Sequence, residues 1–115
     1  MYPVRVANPR GTATPIELKC LVDTGAMFTC VPTPELEALG LAPQWQVPIQ
    51  LADGRQDDWS AAEILLTIDG RTLHTTCLFA PAGALPLLGA VSLEQFALAV
   101  DPLARALVPA RVPMA

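Results

Sequence analysis

The sequence predicts an all-β domain, and three observations carry that expectation. Short runs place apolar residues at every second position, two Asp-Gly pairs stand between such runs, and 12 prolines and 7 glycines are spread along the chain as punctuation. The 115 residues suit one domain, 1–115, with a single modest core, so a second lobe would have to come from a second chain. Hydrophobic residues make up 52% and charged residues 16%, an apolar surplus that excludes the disordered class and suggests a buried subunit interface.

Each element has a local reason. Ile16, Leu18, Cys20 and Val22 alternate with Glu17 and Lys19, which predicts a strand running into Asp23. Residues 28–31 read as a second short strand stopped by Pro32. A short helix is expected over 33–40, with Thr33 as capping residue, Pro34 at the first helical position, Glu35 and Glu37 early, and Gly40 as terminator. Residues 47–51 lead into a hairpin tip at Asp53-Gly54, and Asp69-Gly70 joins residues 64–68 to 72–78 in a second hairpin. Residues 85–88 form a short buried strand ending at Gly89. Ser92-Leu93-Glu94-Gln95 then reads as a capping box that opens a brief helix. Residues 97–100 and 106–108, around Asp101-Pro102, predict a terminal hairpin whose end strand is sticky unless a partner covers it.

Charge and targeting signals narrow the function classes. The formal charge is −4, and 7 Lys plus Arg are scattered singly, so there is no basic stripe for nucleic acid. Met1-Tyr2-Pro3-Val4-Arg5 does not open a leader, and no stretch reaches the length of a membrane span; a soluble cytoplasmic protein is expected, with no membrane partner. Cys20, Cys30 and Cys77 are odd in number and contain no C-x-x-C pair. They read as buried free thiols rather than, with His74, as a zinc site, and no metal is expected. His74 is the only histidine and lies in a strand-like run, while neither Cys20 nor Ser92 has a nucleophile-elbow context. Serine or cysteine nucleophile chemistry is poorly supported.

The chemistry centres on Leu21-Val22-Asp23-Thr24-Gly25-Ala26, where an apolar strand delivers a carboxylate into a Thr-Gly turn. Peptide hydrolysis by carboxylates needs two of them sharing a proton. No second Asp-Thr/Ser-Gly occurs, and Asp53-Gly54 and Asp69-Gly70 read as hairpin turns. A two-fold dimer would supply the second acid, since an isologous contact through the axis brings a residue beside its own copy. The competing reading is a surface turn closed by a side-chain bond from Asp23 or Thr24.

The pattern extends over Asp23-Thr24-Gly25-Ala26-Met27-Phe28-Thr29-Cys30-Val31-Pro32 and, with Leu87-Leu88-Gly89 late in the chain, resembles the retropepsin-like aspartic peptidases, most of all their compact bacterial cellular members. That resemblance spans about residues 16–109. It implies a single-lobe β-barrel with one or two short helices that pairs as a two-fold homodimer, and an aspartic endopeptidase acting on polypeptide with no metal or organic cofactor. Asp23 becomes the catalytic acid, Thr24 the cross-axis hydrogen-bond partner and Gly25 the close backbone contact. Ala26 becomes a substrate-backbone contact, and the hairpin tip at Asp53, Gly54 and Arg55 falls where the family has its substrate-covering flap. Met27 and Phe28 stand where viral members carry acids, and Ala90 where they carry Arg, so their inter-subunit ion pairs do not carry over. Met27 and Phe28 are expected in core packing, with an enlarged apolar pocket or a dimer contact as alternatives. Trp59 packs the flap base or a substrate side chain. A non-catalytic protease-fold module that dimerises or binds peptides by strand addition is the alternative function.

Overall fold

The computed structural model describes residues 1–104 and 106–114. In chain order the elements are β1 (Tyr2–Ala7), β2 (Ile16–Val22), β3 (Thr29–Pro32), α1 (Thr33–Ala38), β4 (Trp45–Gln50), β5 (Gln56–Ile68), β6 (Arg71–Ala80), β7 (Leu87–Leu88), α2 (Ala90–Gln95), β8 (Leu98–Asp101) and β9 (Ala106–Pro109). The large sheet has the order β1-β2-β7-β3-β6-β5-β4, and β5 also pairs with β1 through Val6↔Leu66. Six strands therefore close on themselves as a barrel, leaving β4 outside the ring, paired antiparallel with the first part of β5. Closure removes the sheet edges that an open sheet of this size would expose.

The 13-residue β5 makes this possible because its two halves have different partners. Its first part pairs with β4, from Gln50↔Gln56 to Trp45↔Ala61, and its last part with β1. Beyond it, Asp69 (φ 49°) and Gly70 (φ 83°) both take left-handed backbone, the primed turn that an Asp-Gly pair favours between two strands. Alternation along β5 puts Ala62, Ile64, Leu66 and Ile68 into the barrel, where they meet Val4, Val6, Cys20, Cys77 and Leu88. Leu36 and Leu39 around α1, with Phe96 just beyond α2, close the ends of that core. The opposite face of β3, β5 and β6 builds a second cluster from Cys30, Ala61, Leu78 and Ala80.

Two helix starts differ from the sequence expectation. Pro32, not Thr33, occupies the cap position of α1, with no side-chain cap bond. The Thr33 hydroxyl instead donates to the Ala80 carbonyl of β6 at 2.8 Å, so a tertiary partner outcompetes the local one. The expected capping box at Ser92-x-x-Gln95 is displaced by more: α2 already begins at Ala90, Gly89 is its cap residue, and Ser92 lies inside the helix, fully buried. The first free N–H groups of α2 are taken by carbonyls of the Asp23 loop, which leaves nothing for a serine cap to satisfy.

The terminal hairpin is present as expected. Strands β8 and β9 pair with each other from Leu98↔Pro109 to Asp101↔Ala106 and form a two-stranded sheet of their own. Among the described residues, no helix is long and apolar enough to cross a membrane.

Candidate active site

Asp23 follows directly on β2, and three strands fix where it points. Strand β7 is inserted between β2 and β3, parallel to the first through Leu21↔Leu87 and Val22↔Leu88, and antiparallel to the second through Cys30↔Leu87. The Leu21 N–H donates to the Pro86 carbonyl at 2.9 Å and the Asp23 N–H to the Leu88 carbonyl at 3.0 Å. The chain then turns, with the Ala26 N–H donating to the Asp23 carbonyl at 3.2 Å and the Gly25 N–H to Asp23 Oδ1 at 2.9 Å. A Cβ on Gly25 would lie 3.2 Å from that same Oδ1, so glycine keeps the carboxylate and the N–H in close approach.

The far side of the turn is held by the start of α2. Ala90 N–H donates to the Ala26 carbonyl at 2.8 Å and Val91 N–H to the Met27 carbonyl at 2.9 Å. Between them Gly89 lies against the backbone of Phe28, and its N–H donates to Thr29 Oγ1 at 3.1 Å. The Asp23 loop is thus gripped through its backbone from both ends, by the last residue of β7 and the first turn of α2.

A cleft of about 500 Å³ opens beside the half-buried Asp23. Gly25, Ala26, Met27 and Phe28 form one wall, and the β4–β5 hairpin contributes Val47, Ile49, Leu51, Ala52 and Trp59 opposite. Cys30, Leu78 and Leu87 make its floor. A hollow of similar volume on the hairpin itself, lined by residues 48–50 and 56–58, contains none of the turn residues and is the more polar of the two. A carboxylate stands at one side of a mostly apolar trough, with the Gln50 amide the other polar side chain on its wall.

The three thiols are free and buried. Burial pushes the Cys20 thiol up to about 12, with the neighbouring Cys30 adding to it. Cys77 is raised further, again by burial first and then by Cys30 and Cys20. Cys30, on the cleft floor, is raised by burial and by the nearby Asp23 charge against the lowering effect of a Leu87 backbone hydrogen bond. None is therefore a ready thiolate at neutral pH. Among the described residues no group of three or more His, Cys, Asp or Glu side chains converges to hold a metal ion.

Of the site residues read from the sequence, Asp23, Gly25 and Ala26 lie together at the cleft, while Thr24 is exposed between them. Asp53, Gly54 and Arg55 form the hairpin tip and do not line the cleft. Leu51 N–H donates to the Arg55 carbonyl at 2.8 Å, Gly54 takes φ 88°, and Arg55 Nε donates to Asp53 Oδ2 at 2.7 Å. The hairpin reaches the cleft through Leu51 and Ala52 instead. Trp59 packs on the Cys30 cluster at the base of the hairpin, the first of the two roles expected of it, and also lines the cleft, with its Nε1 donating to Asp57 at 3.2 Å. Phe28 packs on that cluster too, but Met27 is 65% exposed at the cleft and not in the core, on a loop whose Met27 carbonyl accepts the Val91 N–H. Val47, Ile49, Cys30 and Leu78 were legible as strand residues without a site role. Alternation gave the only signal, since Cys30 must face away from the buried Thr29. His74 is exposed and pairs with Glu63, far in sequence from the turn.

This combination, a closed six-stranded barrel with a short strand inserted beside an Asp-Thr-Gly turn, defines a retropepsin-like fold. An aspartyl protease family model matches residues 3–92, and the chain belongs to that family. Among solved structures, the solution structure of the simian foamy virus (mac) protease superposes with a TM-score of 0.56 over 82% of this chain and 93% of that one, at 24% identity. It is similar in fold. No curated protein matches the chain.

Proposed function

We propose that the protein is an aspartic endopeptidase whose active unit is a two-fold homodimer, with Asp23 of each copy forming the catalytic pair. The observation that carries this reading is the Asp23 carboxylate, oriented by the Gly25 N–H at 2.9 Å and held at the side of an apolar cleft.

Support for the dimer comes from the face beside Asp23. Met1, Leu21, Val100 and Leu103 are exposed apolar residues, Leu103 at 96%, and a groove of about 330 Å³ joins Met1, Leu21, Val22, Val100 and Leu107 across the N-terminus, β2 and the terminal hairpin. A second copy covering that face would remove apolar surface from water and bring the two Asp23 turns toward one axis. Exposed Thr24 would then donate its hydroxyl across the axis.

Paired carboxylates in contact share one proton, as is general for aspartic peptidases. The charged member takes a proton from water as the water oxygen attacks the peptide carbonyl carbon. The protonated member gives its proton to the carbonyl oxygen. In the breakdown step the member that took the water proton gives it to the amide nitrogen, the C–N bond breaks, and the other member takes one hydroxyl proton back as the carbonyl reforms, so a carboxylic acid and an amine leave and the pair again holds one proton. Ala26 offers its backbone beside the scissile bond. Leu51 and Ala52 would close over the bound strand, with Asp53, Gly54 and Arg55 forming the outer tip of the flap.

Cleavage of a peptide library by wild type and by Asp23→Asn tests the proposal. Loss of hydrolysis in Asp23→Asn with the fold retained is expected. Hydrolysis retained in that variant overturns the reading, and a wild type that binds peptide without cutting it supports a non-catalytic module instead.

A further inference from the structure

Beneath the Asp23 turn lies a row of buried hydroxyls that belongs to no step of the chemistry above. Thr29 is 1% exposed, Thr75 3% and Ser92 0%. Ser92 Oγ lies 2.7 Å from Thr29 Oγ1 and 2.9 Å from Thr75 Oγ1, Thr75 donates to Gln95 Oε1 at 2.6 Å, and Thr29 Oγ1 accepts the Gly89 N–H at 3.1 Å. One chain of hydrogen bonds therefore runs from Gly89, the cap of α2 that follows β7, through β3 and α2 to β6.

Its direction follows from counting hydrogens. A carbonyl oxygen only accepts, so the Thr75 hydrogen points at Gln95. Thr75 must then accept from Ser92, Ser92 from Thr29, and Thr29 from Gly89. Turned the other way, with the Gln95 amide donating, the Thr29 hydrogen would face the Gly89 N–H, itself a donor, and would be stranded in the interior. Only one arrangement satisfies every member, so the row has a single sense and each bond polarises the next.

The end of the row is where it bears on the reaction. Gly89 is the joint from which Leu88 accepts the Asp23 N–H and Ala90 and Val91 donate to the carbonyls of Ala26 and Met27. A hydroxyl row that fixes Gly89 also fixes the backbone holding the Asp23 carboxylate. We propose that Ser92, with Thr29 and Thr75, is a positioning residue of the catalytic turn, acting through Gly89 rather than by touching substrate. The proposal rests on the peptidase reading for its effect on rate and stands apart from it for its effect on the turn.

The test compares Thr29→Val, which keeps the shape and removes the hydroxyl, with Thr29→Ser, which keeps the hydroxyl, and with Thr75→Val, which breaks the row on β6. Ile64→Val, a truncation in the barrel core, is the control for general loss of stability. Amide hydrogen exchange at Gly25, Ala26, Ala90 and Val91 is measured beside kcat and KM. Thr29→Val and Thr75→Val are expected to speed exchange at those amides by about tenfold or more. They should lower kcat by about tenfold while KM stays within about twofold, because misplacing a catalytic group slows the step without weakening binding. Thr29→Ser restores both and Ile64→Val moves neither. Exchange and kcat in Thr29→Val and Thr75→Val no different from the Ile64→Val control overturn the proposal. A wild type without peptidase activity sinks the peptidase reading instead, and the exchange rates still decide the positioning role.

Discussion

The α-carbon of Gly89 lies against the backbone of Phe28 so closely that a Cβ would stand 2.3 Å from the Phe28 carbonyl carbon and 2.6 Å from its oxygen. Neither atom can swing aside, since both are main chain and the adjoining Met27 carbonyl is bonded to Val91. The φ of Gly89 is −95°, which any residue adopts, so the demand for glycine is one of space alone. Gly89→Ala is expected to destabilise the fold by about 3 kcal/mol, the upper range for overpacking, measured by urea unfolding. The Asp23 turn should loosen with it.

Association provides a second prediction. If the face around Leu21 and Val100 is covered by a second copy, specific activity falls on dilution below the dimer dissociation constant. Leu21→Glu, at a 43% exposed position on that face, should weaken the dimer by about tenfold or more, since it places a charge in an apolar contact. Sedimentation of the two proteins across a dilution series reads this directly. An unchanged sedimentation profile would place the interface elsewhere.

Alkaline pH should expose one tether of the N-terminal strand. The Tyr2 hydroxyl donates to both carboxylate oxygens of Asp69, at 2.7 and 2.6 Å, in the β5–β6 turn. That hydrogen bond, with burial and the Asp69 charge behind it, pushes the Tyr2 phenol up from 10.0 to about 12. A raised phenol favours the protonated, folded form, so the contribution is complete below pH 10 and is lost as pH climbs through 12. Tyr2→Phe should cost about 1 kcal/mol at neutral pH. The gap between variant and wild type should close above pH 10, as urea midpoints across the range would register.

The thiols should be silent in the folded protein. With burial raising Cys20 to about 12 and Cys30 and Cys77 also raised, a disulfide reagent at pH 8 is expected to react slowly with the native chain and with all three sites after unfolding. Rapid labelling of one thiol in native protein would mean that the cleft floor at Cys30 opens. These same shifts make the protonated thiols part of alkaline stability, present below the ordinary thiol range and lost as pH rises through the raised values.

Ala97 offers a gain rather than a loss. It takes φ 52° directly after Phe96, the C-cap of α2, a left-handed position that favours glycine. Ala97→Gly is expected to raise stability by up to about 1 kcal/mol, visible as a higher melting temperature.

Much of the fold was legible because strand signals are local. The alternation from Ile16 to Val22, the Asp53-Gly54 and Asp69-Gly70 turns and the terminal hairpin all lie where residue order places them, since a short turn between sequence neighbours needs no distant partner. Helix starts were less so. Thr33 and Ser92 both have the right chemistry for a cap, yet each hydroxyl bonds across the core, to Ala80 in one case and to Thr29 and Thr75 in the other.

By itself the sequence determined that an apolar strand delivers Asp23 into a Thr-Gly turn, because that depends on residues within a few positions of one another. Only the tertiary structure decided what surrounds it: β7, from far along the chain, inserted between β2 and β3, with Gly89 accepting no side chain against Phe28. Tertiary packing likewise made Leu51 and Ala52, and not Asp53, Gly54 and Arg55, the hairpin residues at the cleft. Local pattern fixes which residues can turn or extend. The contacts that aim a carboxylate come from segments far apart in the chain, and those are set by which surfaces bury one another.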